Sequence, residues 1–105
     1  MTMKSSLVKK PQQKQITLAI DFDDVIRDNF TKKPIKGVKR AMNWLESKGI
    51  ILIISTANKD LEEVKRWLKK NKLNYPVTDK KVSATAYIDN RAIRFTNWND
   101  ITSYF

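Results

Sequence analysis

Cysteine and histidine are both absent from this 105-residue chain. Their absence excludes disulfides, thiol nucleophiles, an imidazole general base and any ordinary zinc site. Acids are scarce: eleven Asp and Glu stand against 21 Lys and Arg, a net charge of +10. No segment approaches the roughly 18 apolar residues of a membrane span. The first fifteen residues carry lysines but lack the apolar stretch of a secretory signal. The expectation is a cytoplasmic protein without membrane contact. Any catalysis must fall to carboxylates, hydroxyls, amides, Lys and Arg. Any bound metal should be hard and oxygen-seeking, Mg²⁺ first.

What is present suits one folded domain. Apolar residues make up 41% of the chain, with three Trp, three Tyr and four Phe, enough for a single core but not for an elaborate enzyme. Residues 1–15, with Lys4, Lys9, Lys10, Lys14 and Pro11, read as a flexible basic arm, and 16–105 as one domain. The basic balance fits a phosphate-bearing or polyanionic partner, nucleic acid included, or simply a solvated surface.

Four of the acids crowd into eight residues. The apolar run Ile16–Ile20 reads as a buried strand and delivers Asp21, Asp23 and Asp24, with Asp28 close behind. Such a cluster is either a polar turn or a site that holds something positive. Pro34 suits the first turn of a helix whose stripe is Ile35, Val38, Met42 and Leu45, widened by Ala41 and Trp44 and stopped at Gly49. Ile50–Ile54 follows, a strand expected to be buried on both faces, with Ser55 and Thr56 at its end. A second helix, about Asp60 to Lys70, has capping-box spacing in Asp60 and Glu63. Tyr75–Thr78 is a brief third strand and Ala84–Ile88 a fourth, ending in Asp89 and Asn90. Ile93 and Phe95 suggest a short strand in a final hairpin, and Trp98, Ile101 and Phe105 a closing helix.

This alternation implies an α/β fold: a doubly wound three-layer sandwich, Rossmann-like, around a mostly parallel sheet of four to five strands. Sites in such sheets lie at the carboxyl ends of the strands. Those ends carry Asp21-Phe-Asp-Asp24, then Ser55-Thr56, then Lys80-Lys81 ahead of the fourth strand, then Asp89-Asn90. Carboxylates from two strands could hold a divalent cation, and a hydroxyl with an ammonium could bind phosphoryl oxygens.

In these residues the chain resembles a minimal member of the haloacid dehalogenase-like superfamily of phosphotransferases. Asp21-Phe-Asp-Asp-Val25 matches the first motif, Ile51–Ser55 the second, Lys81 (with Lys80 as the alternative) the third, and Ala86-Tyr-Ile-Asp89-Asn90 the fourth. The resemblance implies a Mg²⁺-dependent phosphatase in which Asp21 attacks phosphorus and Asp23 serves as acid and base. Ser55, Thr56 and Lys81 would bind the phosphoryl group, while Asp21, the Asp23 carbonyl, Asp89 and Asn90 would hold the metal. Substrates would be a nucleotide, a polynucleotide end or a phosphoprotein.

Three departures qualify the match. Asn90 stands where a second acid is usual, Ala57 where some relatives place an arginine, and about nine residues separate Val25 from the first helix, too few for a cap domain. The competing expectation is a catalytically weak or inactive domain of the same fold that binds nucleic acid through its basic surface. A receiver domain fits less well, because Lys81 precedes Asp89 and no Asp ends the strand at Ser55.

Overall fold

A computed structural model describes residues 15–89 and 93–105, so nearly all of the expected basic arm and Asn90 lie outside the described residues. The chain runs β1 (Thr17–Ile20), α1 (Val38–Ser47), β2 (Ile51–Ser55), α2 (Leu61–Lys70), β3 (Val77–Thr78), β4 (Ala86–Asp89), β5 (Ile93–Arg94) and α3 (Trp98–Thr102). The strands form one sheet in the order β3-β2-β1-β4-β5, every neighbouring pair parallel. The chain winds outward from β1 through β2 and β3, then returns to the other side of β1. That reversal puts a topological switch point between β1 and β4, where open α/β sheets form their crevice.

Period-two alternation sorts the strand residues onto two faces. Leu18, Ile20, Leu52, Ile54 and Ile88 are buried in one core with Met42 and Leu45 of α1, Val64 and Leu68 of α2, and Trp98 and Ile101 of α3. All three helices therefore share this face. The opposite face carries Ala19, flanked in register by Ile53 and Tyr87, and the 44%-exposed Ile51. The expectation that Ile50–Ile54 is buried on both faces is thus corrected. The third layer that double winding implies is formed by none of the described residues. Between β3 and β4 lie only residues 79–85, with no helix among them, and a crossover containing a helix takes about 10–12 residues.

Local signals explain most boundaries. Gly49 (φ +82°) ends α1: its N–H donates to the Glu46 carbonyl and that of Ile50 to Leu45, satisfying two of the carbonyls left open in the last turn. Asp60 caps α2 by accepting from the Glu63 N–H at 3.0 Å. The Glu63 carboxylate does not close the box and reaches Arg27 instead.

Three expectations are corrected. Pro34 lies outside α1: it bridges Arg27, and the Ile35 N–H donates to the Ile26 carbonyl, so the helix begins only after Gly37 at φ +81°. Trp44 leaves the core stripe and lies exposed under the Lys48 ammonium, 4.9 Å from its ring. No final hairpin forms, because β5 runs parallel to β4, pairing Ile88 with Ile93 and Asp89 with Arg94.

Candidate functional site

The acidic turn is wound on one carbonyl. Phe22 O accepts from the N–H groups of Val25, Ile26 and Arg27, and Asp24 sits at φ +63° with its N–H on the Arg27 carbonyl. Phe22, Val25 and Ile26 are buried beneath it, and the Trp98 indole donates to the Val25 carbonyl at 3.0 Å. Apolar anchoring from α3 and the core thus holds the turn from below and leaves its carboxylates at the strand ends.

Asp21 continues the ladder of β1, its N–H on the Ile88 carbonyl at 3.1 Å, so it stands beside Asp89 across the switch point. Both line a pocket of about 720 Å³ together with Ser55, Thr56, Lys80 and Lys81. The structure thereby gathers all the described phosphate-binding candidates, and the two lysines line the pocket alike. Thr56 is buried, and its hydroxyl oxygen accepts from the Asn58 N–H at 3.0 Å, leaving its proton to donate. Asp79, Val82 and Tyr87 also line the pocket. Nothing in the sequence singled these out, since they face the site on the side of the sheet that no helix of the described residues covers.

Two carboxylates on adjacent strands, with neither imidazole nor thiolate nearby, form an oxygen donor set suited to a hard cation. Among the described residues no group of three Asp, Glu, His or Cys could hold a metal. The expected set fits this limit, having two carboxylate side chains, Asp21 and Asp89, with the remainder from the Asp23 carbonyl and Asn90.

Asp23 is placed differently from its expected role. It is not among the pocket-lining residues. Its carboxylate is one-third exposed and lies 3.6 Å from the guanidinium of Arg27. Arg27 is a residue to which the sequence reading assigned no role, and it is 3% exposed. It donates to Glu63 Oε2 on α2 at 2.7 Å and lies over the rings of Phe22 and Trp67, which meet edge to face. Buried Arg is rare unless paired. Its four-residue spacing from Asp23 was the one local clue, but the partner Glu63 lies 36 residues away.

Asp24 and Asp28 keep their structural roles. Asp24 Oδ1 accepts from the Asn29 N–H, and Asp28 Oδ1 from the N–H groups of Phe30 and Thr31, each at 2.8 Å. The Trp67 indole donates to the Lys32 carbonyl at 2.8 Å, tying the loop to α2. Hydrogen bonds from Thr31 and then Phe30 hold the Asp28 carboxyl below its ordinary value of 3.8. A depressed carboxyl stabilises the folded loop fully above its unfolded value and loses that contribution as pH falls through the lowered folded value. We expect the Phe30 and Thr31 amide resonances to hold steady down to about the ordinary Asp pKa and to move together only below it. Signals indifferent to acid throughout that range would rule out the Asp28 clamp.

No helix of the described residues is long and apolar enough to cross a membrane. No protein-family model matches the sequence, and a search of curated proteins also finds no match. Among solved structures the chain is similar to a conserved protein from Bacteroides thetaiotaomicron, at 20% identity and a TM-score of 0.70, over 86% of this chain and 88% of that one. At that identity the likeness speaks to the fold: this chain is an α/β protein built on a small parallel sheet.

Proposed function

We propose that the chain is a Mg²⁺-dependent phosphatase of the haloacid dehalogenase-like type, hydrolysing a phosphomonoester through an aspartyl-phosphate on Asp21. The reading includes a Rossmann-like, capless core and, as its setting, the cytoplasm. One observation carries it: Asp21 and Asp89 stand side by side at the switch point of a parallel sheet and share a pocket with Ser55, Thr56 and two lysines.

In the first step an Asp21 carboxylate oxygen attacks phosphorus in line with the leaving oxygen. The new P–O bond forms as the ester bond breaks, and the protonated Asp23 gives its proton to the departing alkoxide. Asp23, now a carboxylate, takes a proton from water, whose oxygen displaces Asp21 from phosphorus and releases inorganic phosphate. Ser55 and Thr56 donate to the equatorial oxygens, and Lys81 or Lys80 offsets their charge. Mg²⁺, held by Asp21, Asp89, the Asp23 carbonyl and Asn90, would supply further neutralisation of that charge. Asp23 reaches the leaving oxygen by turning away from Arg27, so this acid/base works from a parked position.

A panel of nucleotides, end-phosphorylated oligonucleotides, a phosphopeptide and an aryl phosphate, assayed with Mg²⁺ and with chelator, tests the reading. Chelator-sensitive phosphate release from at least one of them is the expected result. No release from any member with Mg²⁺ present would overturn it.

A further inference from the structure

Phe30 is 94% exposed, the most exposed large apolar side chain among the described residues. An aromatic ring in water on an unsupported loop would mean little, but this loop is hydrogen-bonded to itself and to α2. Asp28 Oδ1 grips the N–H groups of Phe30 and Thr31, the Lys32 N–H returns to the Asp28 carbonyl, and the Asp28 N–H reaches the Lys33 carbonyl. Trp67 of α2 fixes the Lys32 carbonyl from outside. The ring is presented on a braced tip.

Its surroundings identify a partner chemistry. Lys32 and Lys33 flank the tip and are exposed, whereas the Asp28 carboxylate is turned to the loop's own amides. The Asn29 N–H on Asp24 Oδ1 closes the loop onto the acidic turn that carries Asp23. In-line displacement places the leaving group opposite the Asp21 carboxylate, outward from the strand ends, and the turn and loop leave the sheet at that same end, directly after Asp21 of the pocket wall. A basic rim with one open ring face suits a strand whose bases are unpaired, since any base stacks on an aromatic face and lysines meet the backbone. A membrane surface is served less well, because stable anchoring takes a broad apolar face rather than one ring.

We infer that Phe30 is a stacking platform for a base of single-stranded nucleic acid, with Lys32 and Lys33 meeting its phosphates, and that the substrate of the strand-end pocket is the phosphorylated end of such a strand. The second clause rests on the phosphatase reading; the first does not.

The test is binding of the full chain to short fluorescein-labelled oligonucleotides followed by anisotropy, in an Asp21→Asn background so that turnover is silent. Phe30→Ala should weaken binding to a single strand about tenfold, the scale set by one lost stack. Phe30→Trp should restore it. Affinity for a strand of abasic sugar-phosphate should be low and the same with or without the ring, and affinity for single strands should fall as salt rises. Equal single-strand affinity in wild type and Phe30→Ala would overturn the inference. So would Phe30-dependent binding to anionic lipid vesicles without binding to the oligonucleotide, which would mark a membrane contact. Phe30-dependent binding in a protein that releases phosphate from nothing would leave the platform standing and sink the phosphatase. Turnover without Phe30-dependent binding would do the reverse.

Discussion

Asp21→Asn should lower turnover of an aryl phosphate on the order of 10⁴-fold or more while leaving the fold intact. The amide has nearly the shape of the carboxylate, but its oxygen is a poor nucleophile, and removal of a covalent catalyst leaves only the rate that binding and electrostatics supply. The fold should survive because Asn keeps the size of Asp and an acceptor oxygen in the same place. Asp21 Oδ1 accepts from the Phe22 N–H at 2.9 Å, and the amide oxygen of Asn accepts the same bond. The turn is held instead by buried Phe22, Val25 and Ile26 and by the Trp98 bond to the Val25 carbonyl. Phosphate release measured beside circular dichroism and thermal melting separates the two properties. Unchanged Mg²⁺-dependent activity in a folded Asp21→Asn protein would remove Asp21 from the chemistry, and the proposed reaction with it.

Arg27→Ala should destabilise the protein by about 3 kcal/mol, the lower end of the range for breaking a buried ion pair from one side. The guanidinium fills the space between Phe22 and Trp67 while donating to Glu63, so truncation removes packing and a charge-assisted bond together. The remaining charges soften the loss, because Glu63 and Asp23 are each about one-third exposed and can turn to water. Arg27→Met should therefore recover much of the stability, since it restores the aliphatic stem between the two rings. Urea unfolding of both variants is the measurement. Alanine and methionine variants equally destabilised would mean that the ion pair, not the packing, pins the turn. A loss below about 1 kcal/mol in Arg27→Ala would place it among ordinary surface pairs and deny it any structural role. The orphaned Arg27 Nε and Asp23 Oδ1, both buried without a hydrogen-bond partner, are where this packing is imperfect. Such a loose contact is consistent with the acid/base role proposed for Asp23, which requires it to leave Arg27.

Much of the candidate site was legible because its residues sit at strand ends that announce themselves. Ile16–Ile20, Ile50–Ile54 and Ala84–Ile88 are apolar runs bounded by polar residues, and each delivers its candidate side chain at the first position past the run. Parallel pairing then aligns those positions without further information, which is how Asp21 comes to stand beside Asp89. Caps were legible for the same reason: Gly49 and Asp60 act through the backbone within a few residues of themselves.

The failures share a cause as well. Pro34 could sit in a first helical turn or across a bridge, and the choice went to its backbone partner Arg27. The alternation of Ile93 with Phe95 specifies an extended segment but not its direction, so hairpin and parallel pairing were equally compatible with it. Trp44 and Ile51 belong to apolar patterns whose outermost members stay exposed beyond the core.

By itself the sequence determined the order of the strands and helices, the residue types on which any catalysis could draw, and the arrival of acids, hydroxyls and lysines at successive strand ends. These follow from composition and from periodicities that span only a few residues. Tertiary structure alone decided that Asp23 rests against Arg27 rather than in the pocket, that Glu63 serves Arg27 instead of its own helix, and that Phe30 is braced outward by Asp28 and Trp67. It also decided which side of the sheet remains without a helix among the described residues, and hence that Tyr87 and Val82 line the pocket. Those outcomes depend on contacts between residues tens of positions apart and on space left unfilled, and neither has a local signature in the chain.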